Sequence, residues 1–268
     1  MHLCDDPRLT YLNNQGYCVV RTPQRKIRPL GVIGCEGNSR SWLGTLDRIW
    51  KSKAPVPVPG TPEPVPDVSG GRTNDLDLSF GLNFLANALS MFGASTPGLD
   101  VAYKNARSVQ FRLGEVMSVG IDPLDIGEYI TEGTLSENNP FAKFFLGGRD
   151  TEALLITEVL LARSISVIAK RDANTGVRVD VPAIQAVLGT KVAVTSASSD
   201  STEITYEGQE PLTFGIKVFR IVYGGGKWHI EGVEASAETA FGDEDSGHTE
   251  TPRVLERELV EINFPDAA

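Results

Sequence analysis

Side chains able to do chemistry are few in this chain. Cysteine occurs at positions 4, 18 and 35, and histidine at 2, 229 and 248. With no CxxC pair, the three thiols spell neither a disulfide framework nor a zinc site. Cys4 stands ahead of Asp5, Asp6 and Pro7, and no apolar run of the kind a secretory signal needs follows it. Two chemistries are open to it: an exposed free thiol or an S-acylation site. His229, inside KWHIEG, reads as a sheet residue rather than a general base. Asp243, Glu244 and Asp245 with His248 would attract a cation, but their spacing fits no EF-hand loop, and a solvated acidic loop accounts for them. GVIGCEG at Gly31 to Gly37 does not match a dinucleotide fingerprint, and neither a P-loop nor a nucleophile elbow occurs. The expectation is a protein that is not an enzyme, with no catalytic residue, no metal and no diffusible cofactor.

Composition narrows the partners. The chain has 268 residues, of which 41% are hydrophobic and 22% charged, enough for one large domain or two small ones with a proper core. A net charge of −10, with no stripe of Lys and Arg, excludes nucleic acid as the main partner. Leu78 to Leu99 carries no charge over 22 residues, long enough to span a bilayer. Gly81, Asn83, Asn87, Ser90, Gly93, Ser95 and Pro97 interrupt it, so a transmembrane helix is not expected.

The elements that must position these residues are mostly strands. Gly16 to Thr22 and Ile27 to Ile33 read as two strands joined by a polar turn at Gln24-Arg25-Lys26. Ser41 to Lys51 places Trp42, Leu46 and Ile49 at helical spacing and predicts a helix. Ala54 to Pro66 has proline at 55, 57, 59, 62, 64 and 66, an extended surface linker. Leu76 to Phe92 satisfies period two and then helical spacing, as a strand running into a core helix does. Asp100 to Val119 alternates throughout: Val101, Tyr103, Val109, Phe111, Leu113, Met117 and Val119 share one parity. That predicts one long amphipathic strand, far beyond the ordinary ~5–6 residues and past the ~9–11 that cross a bilayer in a barrel.

Asp122 to Glu132, with Asp122-Pro123 as cap and first turn, and Asn138 to Phe145 read as short helices. Glu152 to Arg171 is a second long apolar strand, with Val159, Leu161 and Ile165 on one parity. Pro182 to Leu188 makes a small helix, Lys191 to Glu207 alternates again, and Leu212 to Val233 forms a hairpin over Gly224-Gly225-Gly226. The fold class is therefore α+β, a twisted antiparallel central sheet with short peripheral helices. Lipid admits strands only in closed barrels, and about four such strands per chain close a wide barrel only when many copies contribute.

Beyond Ala235 the chain turns small and acidic, then regains apolar residues at Val254 to Phe264. Residues 243–268 hold eight acidic and two basic side chains, a net of −6, so their removal would move the chain from −10 to −4. Leu255, Leu259, Ile262 and Phe264 are too apolar for a free tail and predict docking on the sheet.

Several motifs go further. Cys4, Asp6-Pro7, Thr10-Tyr11-Leu12, Gly16-Tyr17, Val19-Val20-Arg21, Pro23, Ile27 and Pro29-Leu30 together resemble the opening of the bacterial gasdermins. Asp180-Val181-Pro182 with Ile184-Gln185 and Gly189, and Phe214-Gly215 with Lys217 and Phe219, are similar to that family as well. The likeness spans most of the chain and weakens after Phe241. It implies a pore-forming domain at 1–241 and an autoinhibitory C-terminal peptide at 242–268. It further implies a palmitoyl chain on Cys4, a monomeric cytoplasmic precursor, and cleavage by a caspase-like protease encoded nearby. The cleaved product would be a homo-oligomeric pore in inner-membrane lipids that kills the phage-infected cell. Asp243, Asp245 and Arg253 are the candidate cleavage positions. Val109, Phe111, Leu113, Val159, Leu161 and Ile165 are the candidate membrane-inserting residues, within hairpins from Leu76 to Val119 and Glu152 to Glu207. The competing reading of the residues is a non-enzymatic β-rich binding protein with a regulatory tail and an unmodified Cys4.

Overall fold

Strands β1 (Cys18–Gln24), β2 (Gly31–Glu36) and β3 (Ser39–Thr45) open the fold. Helix α1 (Leu78–Met91) follows, then β4 (Ser108–Gly114), β5 (Met117–Gly120) and α2 (Pro123–Thr131). Strand β6 (Thr151–Asp172), α3 (Val181–Leu188), β7 (Ala193–Thr195), β8 (Glu203–Gly224) and β9 (Lys227–Gly232) complete it. The computed structural model describes residues 16–37, 39–66, 68–72, 76–94, 96–136, 139–146, 151–172, 175–176, 178–188, 190, 192–195, 200–232 and 261–264.

Two strands of 22 residues each, β6 and β8, run antiparallel along most of their length, from Ala153↔Ile221 to Ile168↔Glu203. Every other strand of the main sheet is short by comparison and lies along one of their outer edges or, like β3 on β2, one strand further out. β2, β5 and β4 succeed one another along β6, at Thr151 to Leu155, Glu158 to Leu161 and Ser164 to Lys170. β9, β1 and β7 do the same along β8. Runs of β-branched and aromatic residues such as Leu154 to Val159 and Leu212 to Ile221 suit this central position, because both faces of these strands meet apolar neighbours.

Three apolar clusters hold the layers together. On one face α1, α3 and Leu99–Ala102 cover β4 and the adjoining halves of β6 and β8. Near the other end of the sheet α2 and the turns Leu46–Ile49 and Ala142–Phe145 cover Val32, Leu155 and Ile221. The third cluster gathers Cys18, Val20, Ile27, Ile33, Cys35, Leu154, Ile156, Val159, Ile216, Val218 and Ile262.

Local signals decide where α1 and α2 begin. The Asp77 carboxylate accepts the Phe80 N–H at 2.9 Å, and Asp122 accepts from Leu124 N–H at 2.8 Å ahead of Pro123. Gly225 and Gly226, both at positive φ, turn β8 into β9.

Three expectations need correction. Ser41 to Lys51 is not a helix: β3 pairs with β2 from Gly31↔Thr45 to Glu36↔Ser39, and only Leu46–Ile49 is helical. Strand geometry sends Trp42 and Leu43 into apolar clusters on opposite faces, whereas a helix would bury one stripe. Asp100 to Val119 is not one strand either. Gly98, at φ +95, leads into the turn Leu99–Ala102, and Glu115, at φ +52, separates β4 from β5. Within Lys191 to Glu207 the described strands are Ala193–Thr195, Asp200–Ser201 and the start of β8. The proline tract is extended as expected, but its far end lies along β5. Glu63 and Pro64 pair with Ser118 and Met117, and Gly60 N–H donates to Gly120 O at 2.8 Å.

Candidate functional site

Strands β4 and β6 and the segment Glu261 to Phe264 hold the candidate membrane-inserting and tail residues that the structure describes. Val109, Phe111 and Leu113 alternate inward along β4 with Ser108, Gln110 and Arg112 half-buried between them. Across the ladder Leu113 pairs with Ile165, Phe111 with Val167 and Val109 with Ala169. All six belong to the cluster under α1. The helix approaches closely here: a Cβ on Gly81 would stand 2.1 Å from Val109 Cγ2. Phe84 packs its ring against those of Phe111 and Phe214, at centroid distances of 5.3 and 6.2 Å.

Val159 and Leu161 do not join that face. Their sequence parity matches Ile165, yet they pack on the opposite side with the third cluster. The register of β6 against β8 shifts between Ala162 and Ser164, and the inward set changes from Leu160 and Ala162 to Ile165, Val167 and Ala169. A second shift, between Ile156 and Glu158, is pinned by a polar knot. There the Glu158 carboxylate accepts from Tyr17 Oη and Ser118 Oγ and pairs with Lys217 Nζ at 3.0 Å, while Lys217 lies 4.2 Å from the Tyr17 ring centroid.

Beyond the shift at Ala162 to Ser164, where β4 pairs with Ser164 to Lys170 of β6, the face of β4, β6 and β8 away from α1 is polar. Arg112 Nη1 reaches Glu203 Oε1 at 3.0 Å, and Ser166 shares a 2.6 Å hydrogen bond with Thr205. This half of the sheet therefore has one apolar and one hydrophilic face across three adjacent strands.

The C-terminal segment Glu261 to Phe264 lies along the outer edge of β3. Asn263 N–H donates to Arg40 O at 2.8 Å, and Trp42 N–H donates to Asn263 O at 2.8 Å, a parallel bridge to Ser41. Ile262 is buried in the third cluster, and the Phe264 ring sits 5.4 Å from that of Trp42, with Lys26 Nζ 5.9 Å from its centroid. Arg21 and Glu261 form an exposed ion pair at 2.9 Å, worth roughly 0–1 kcal/mol. Arg40 fixes the β2–β3 turn by donating to the carbonyls of Gly37 and Ser39. The receptor strand was missed from sequence because Trp42, Leu46 and Ile49 fall at helical spacing.

Cys4, Asp243, Asp245, Arg253, Leu255 and Leu259 lie outside the described residues. Cys35 is a free, buried thiol whose pKa burial pushes up to about 12. Cys18 is disulfide-bonded, which the cysteine spacing did not suggest. Among the described residues no helix is long and apolar enough to cross a membrane, and no group of three or more His, Cys, Asp or Glu side chains is placed to hold a metal ion.

A twisted antiparallel sheet carrying two overlong strands, with short helices laid on its faces, defines an α+β fold of the gasdermin type. The structure of a bacterial gasdermin from Bradyrhizobium tropiciagri superposes with a TM-score of 0.64 at 14% identity, covering 84% of this chain and 90% of that one. The model of the Bacterial Gasdermin Family matches residues 20–248. A gasdermin of Vitiosangium sp. is 32% identical over 222 residues, 82% of this chain and 83% of the relative. One from a Desulfuromonadales bacterium is 30% identical over 228 residues, 84% of this chain and 85% of the relative. The chain belongs to the bacterial gasdermin family, whose members are pore-forming rather than enzymatic.

Proposed function

We propose that the chain is the autoinhibited precursor of a membrane pore, opened by proteolytic removal of its C-terminal peptide. The observation that carries this reading is the seat of Ile262 to Phe264 on β3 and the third cluster. It ties the far end of the chain to the sheet across a stretch rich in candidate cleavage positions, Asp243, Asp245 and Arg253. Each buried apolar side chain contributes roughly 1.5–3 kcal/mol, and covalent attachment raises the segment's effective concentration. A cut between residues 242 and 253 abolishes that advantage and lets the segment diffuse away. Loss of a net −6 also lowers repulsion from anionic headgroups.

After release, β4 with β6 and β8 supply the membrane strands. At 22 residues each, β6 and β8 exceed the ~9–11 residues that a barrel strand needs. Many copies close one large β-barrel, because lipid tolerates no unpaired edge. The partners are membrane lipids, further copies of the chain, and a caspase-like protease encoded nearby. The precursor is a cytoplasmic monomer, the pore resides in the inner membrane, and the outcome is death of a phage-infected cell.

Cys4 carries a palmitoyl group in this reading. A long acyl chain left in water would cost on the order of 10 kcal/mol, so it is sheltered in the precursor. Palmitoylated and unmodified Cys4 are the two alternatives. Intact mass of the N-terminal peptide, measured without reductant, separates them.

Dye release from liposomes tests the main reading. The full chain should leave vesicles sealed, and limited proteolysis within 242–253 should make them leak. A cut chain that stays monomeric and leaves vesicles intact would overturn it.

A further inference from the structure

At the β2 end of the molecule five strands lie side by side in the order β3-β2-β6-β8-β9. Its two margins differ. The outer edge of β3 is taken by Glu261 to Phe264, whereas β9 pairs with β8 alone among the described residues. The Trp228 carbonyl of β9 accepts from Thr131 Oγ1 at 3.3 Å. We propose that the β3 edge, once the C-terminal segment leaves, pairs with the β9 edge of a second copy, so that the segment is a plug in an assembly surface. This rests on the reading above that removal of the segment activates the chain.

The sense of the strands supports this partner. All four pairings from β3 to β9 are antiparallel, so β3 and β9 run in the same direction. Two copies set side by side about an axis along the strands would therefore bring β3 of one against β9 of the next in parallel. Asn263 already meets Ser41 in parallel. The segment thus holds the β3 backbone, Trp42 N–H and Arg40 C=O, in the sense a neighbouring β9 requires, and the two cannot be present together. An edge stripped of its partner exposes a row of unpaired N–H and C=O groups, a template for another chain. Contact between unlike edges is heterologous, so each added copy leaves one β3 and one β9 edge open, and the series closes as a ring when the rotation permits. Such a ring would hold the long strands of all copies in one orientation.

Full-length variants carrying one added cysteine test the contact, with a site-specific protease sequence placed between residues 242 and 253. Ser41→Cys is mixed in turn with His229→Cys, Ile230→Cys, Glu231→Cys and Gly232→Cys on phosphatidylethanolamine–phosphatidylglycerol vesicles, cut and oxidised. Four consecutive positions cover both faces and the neighbouring registers, and peptide mass distinguishes the new bond from those of native cysteines. The expected result is a disulfide from residue 41 to one of residues 229–232 between copies, in the cut mixture and absent from the uncut one. Assembly and leakage without any such bond would overturn edge pairing while leaving the pore reading intact. The bond forming equally before cutting would overturn the plug. A cut chain that neither assembles nor leaks would overturn both readings.

Discussion

Phe84 of α1 and Phe111 of β4 lie ring to ring at 5.3 Å, and this contact seals the apolar side of the candidate membrane strands under a helix. Insertion requires α1 to leave that face, since lipid must replace it. Beside the aromatic pair, the Cβ position of Gly81 is 3.6 Å from Val109 Cβ, within the range a disulfide spans. Gly81→Cys with Val109→Cys removes the crowding Cγ2 atom and should form a bond that locks α1 onto β4. The oxidised, cut protein should leave liposomes sealed, and a reductant should restore leakage. Leakage undiminished with the bond intact would show that α1 stays in place in the pore.

The two faces of β4 should differ in resting stability. Phe111→Ala opens a void beneath α1 in a fully packed cluster and should cost about 3–5 kcal/mol. Gln110→Ala, half-buried on the polar side, should change stability by about 0.5 kcal/mol or less. Chemical denaturation of the uncut chain reads both. Equal losses would mean that α1 does not protect an apolar face. A charge at Phe111, buried in the same cluster, would destabilise the precursor before any membrane is met.

The 22-residue β8 reads in sequence as two pieces, Lys191 to Glu207 and a hairpin from Leu212, whereas the alternation of β4 and the length of β6 are legible because period two depends on each strand's own residues. The phase of β6 is not. Val159, Leu161 and Ile165 share a parity, and only the register shift at Ala162 to Ser164, set by pairing with β8, sends them to different faces. β3 was read as helix for a related reason: its partner β2 supplies the hydrogen bonds, and spacing within Ser41 to Lys51 carries no trace of that. The apolar pattern of the C-terminal segment suggested docking, but the strand that receives Ile262 to Phe264 is a property of the folded sheet.

Cys35 offers a probe of the segment that needs no membrane. It shares the third cluster with Ile262, and burial holds its pKa at about 12, so the thiol is neutral throughout the physiological range. Alkylation requires the thiolate, so iodoacetamide at neutral pH should spare Cys35 in the intact chain and modify it in denaturant. Cutting between 242 and 253 should speed its modification, because departure of Ile262 opens the cluster. Modification equally fast before and after the cut would separate Cys35 from the segment's release.

Weakening the seat should replace the protease. Ile262→Asp puts a carboxylate among Cys35, Ile33 and neighbouring apolar side chains, where an unpaired charge costs several kcal/mol. Each 1.4 kcal/mol lost from docking raises the undocked population tenfold. Phe264→Ala removes the contact with Trp42 and should act in the same direction with smaller effect, since that ring is only partly buried. Arg21→Ala should do little, because its pair with Glu261 is exposed on both sides. The order of spontaneous leakage from the uncut chain should therefore be Ile262→Asp, then Phe264→Ala, then Arg21→Ala at the level of the parent. Circular dichroism of each variant should match the parent, which checks that the sheet survives. An Ile262→Asp protein that is folded, uncut and as silent as the parent would mean that the segment's seat on β3 is not what restrains the chain.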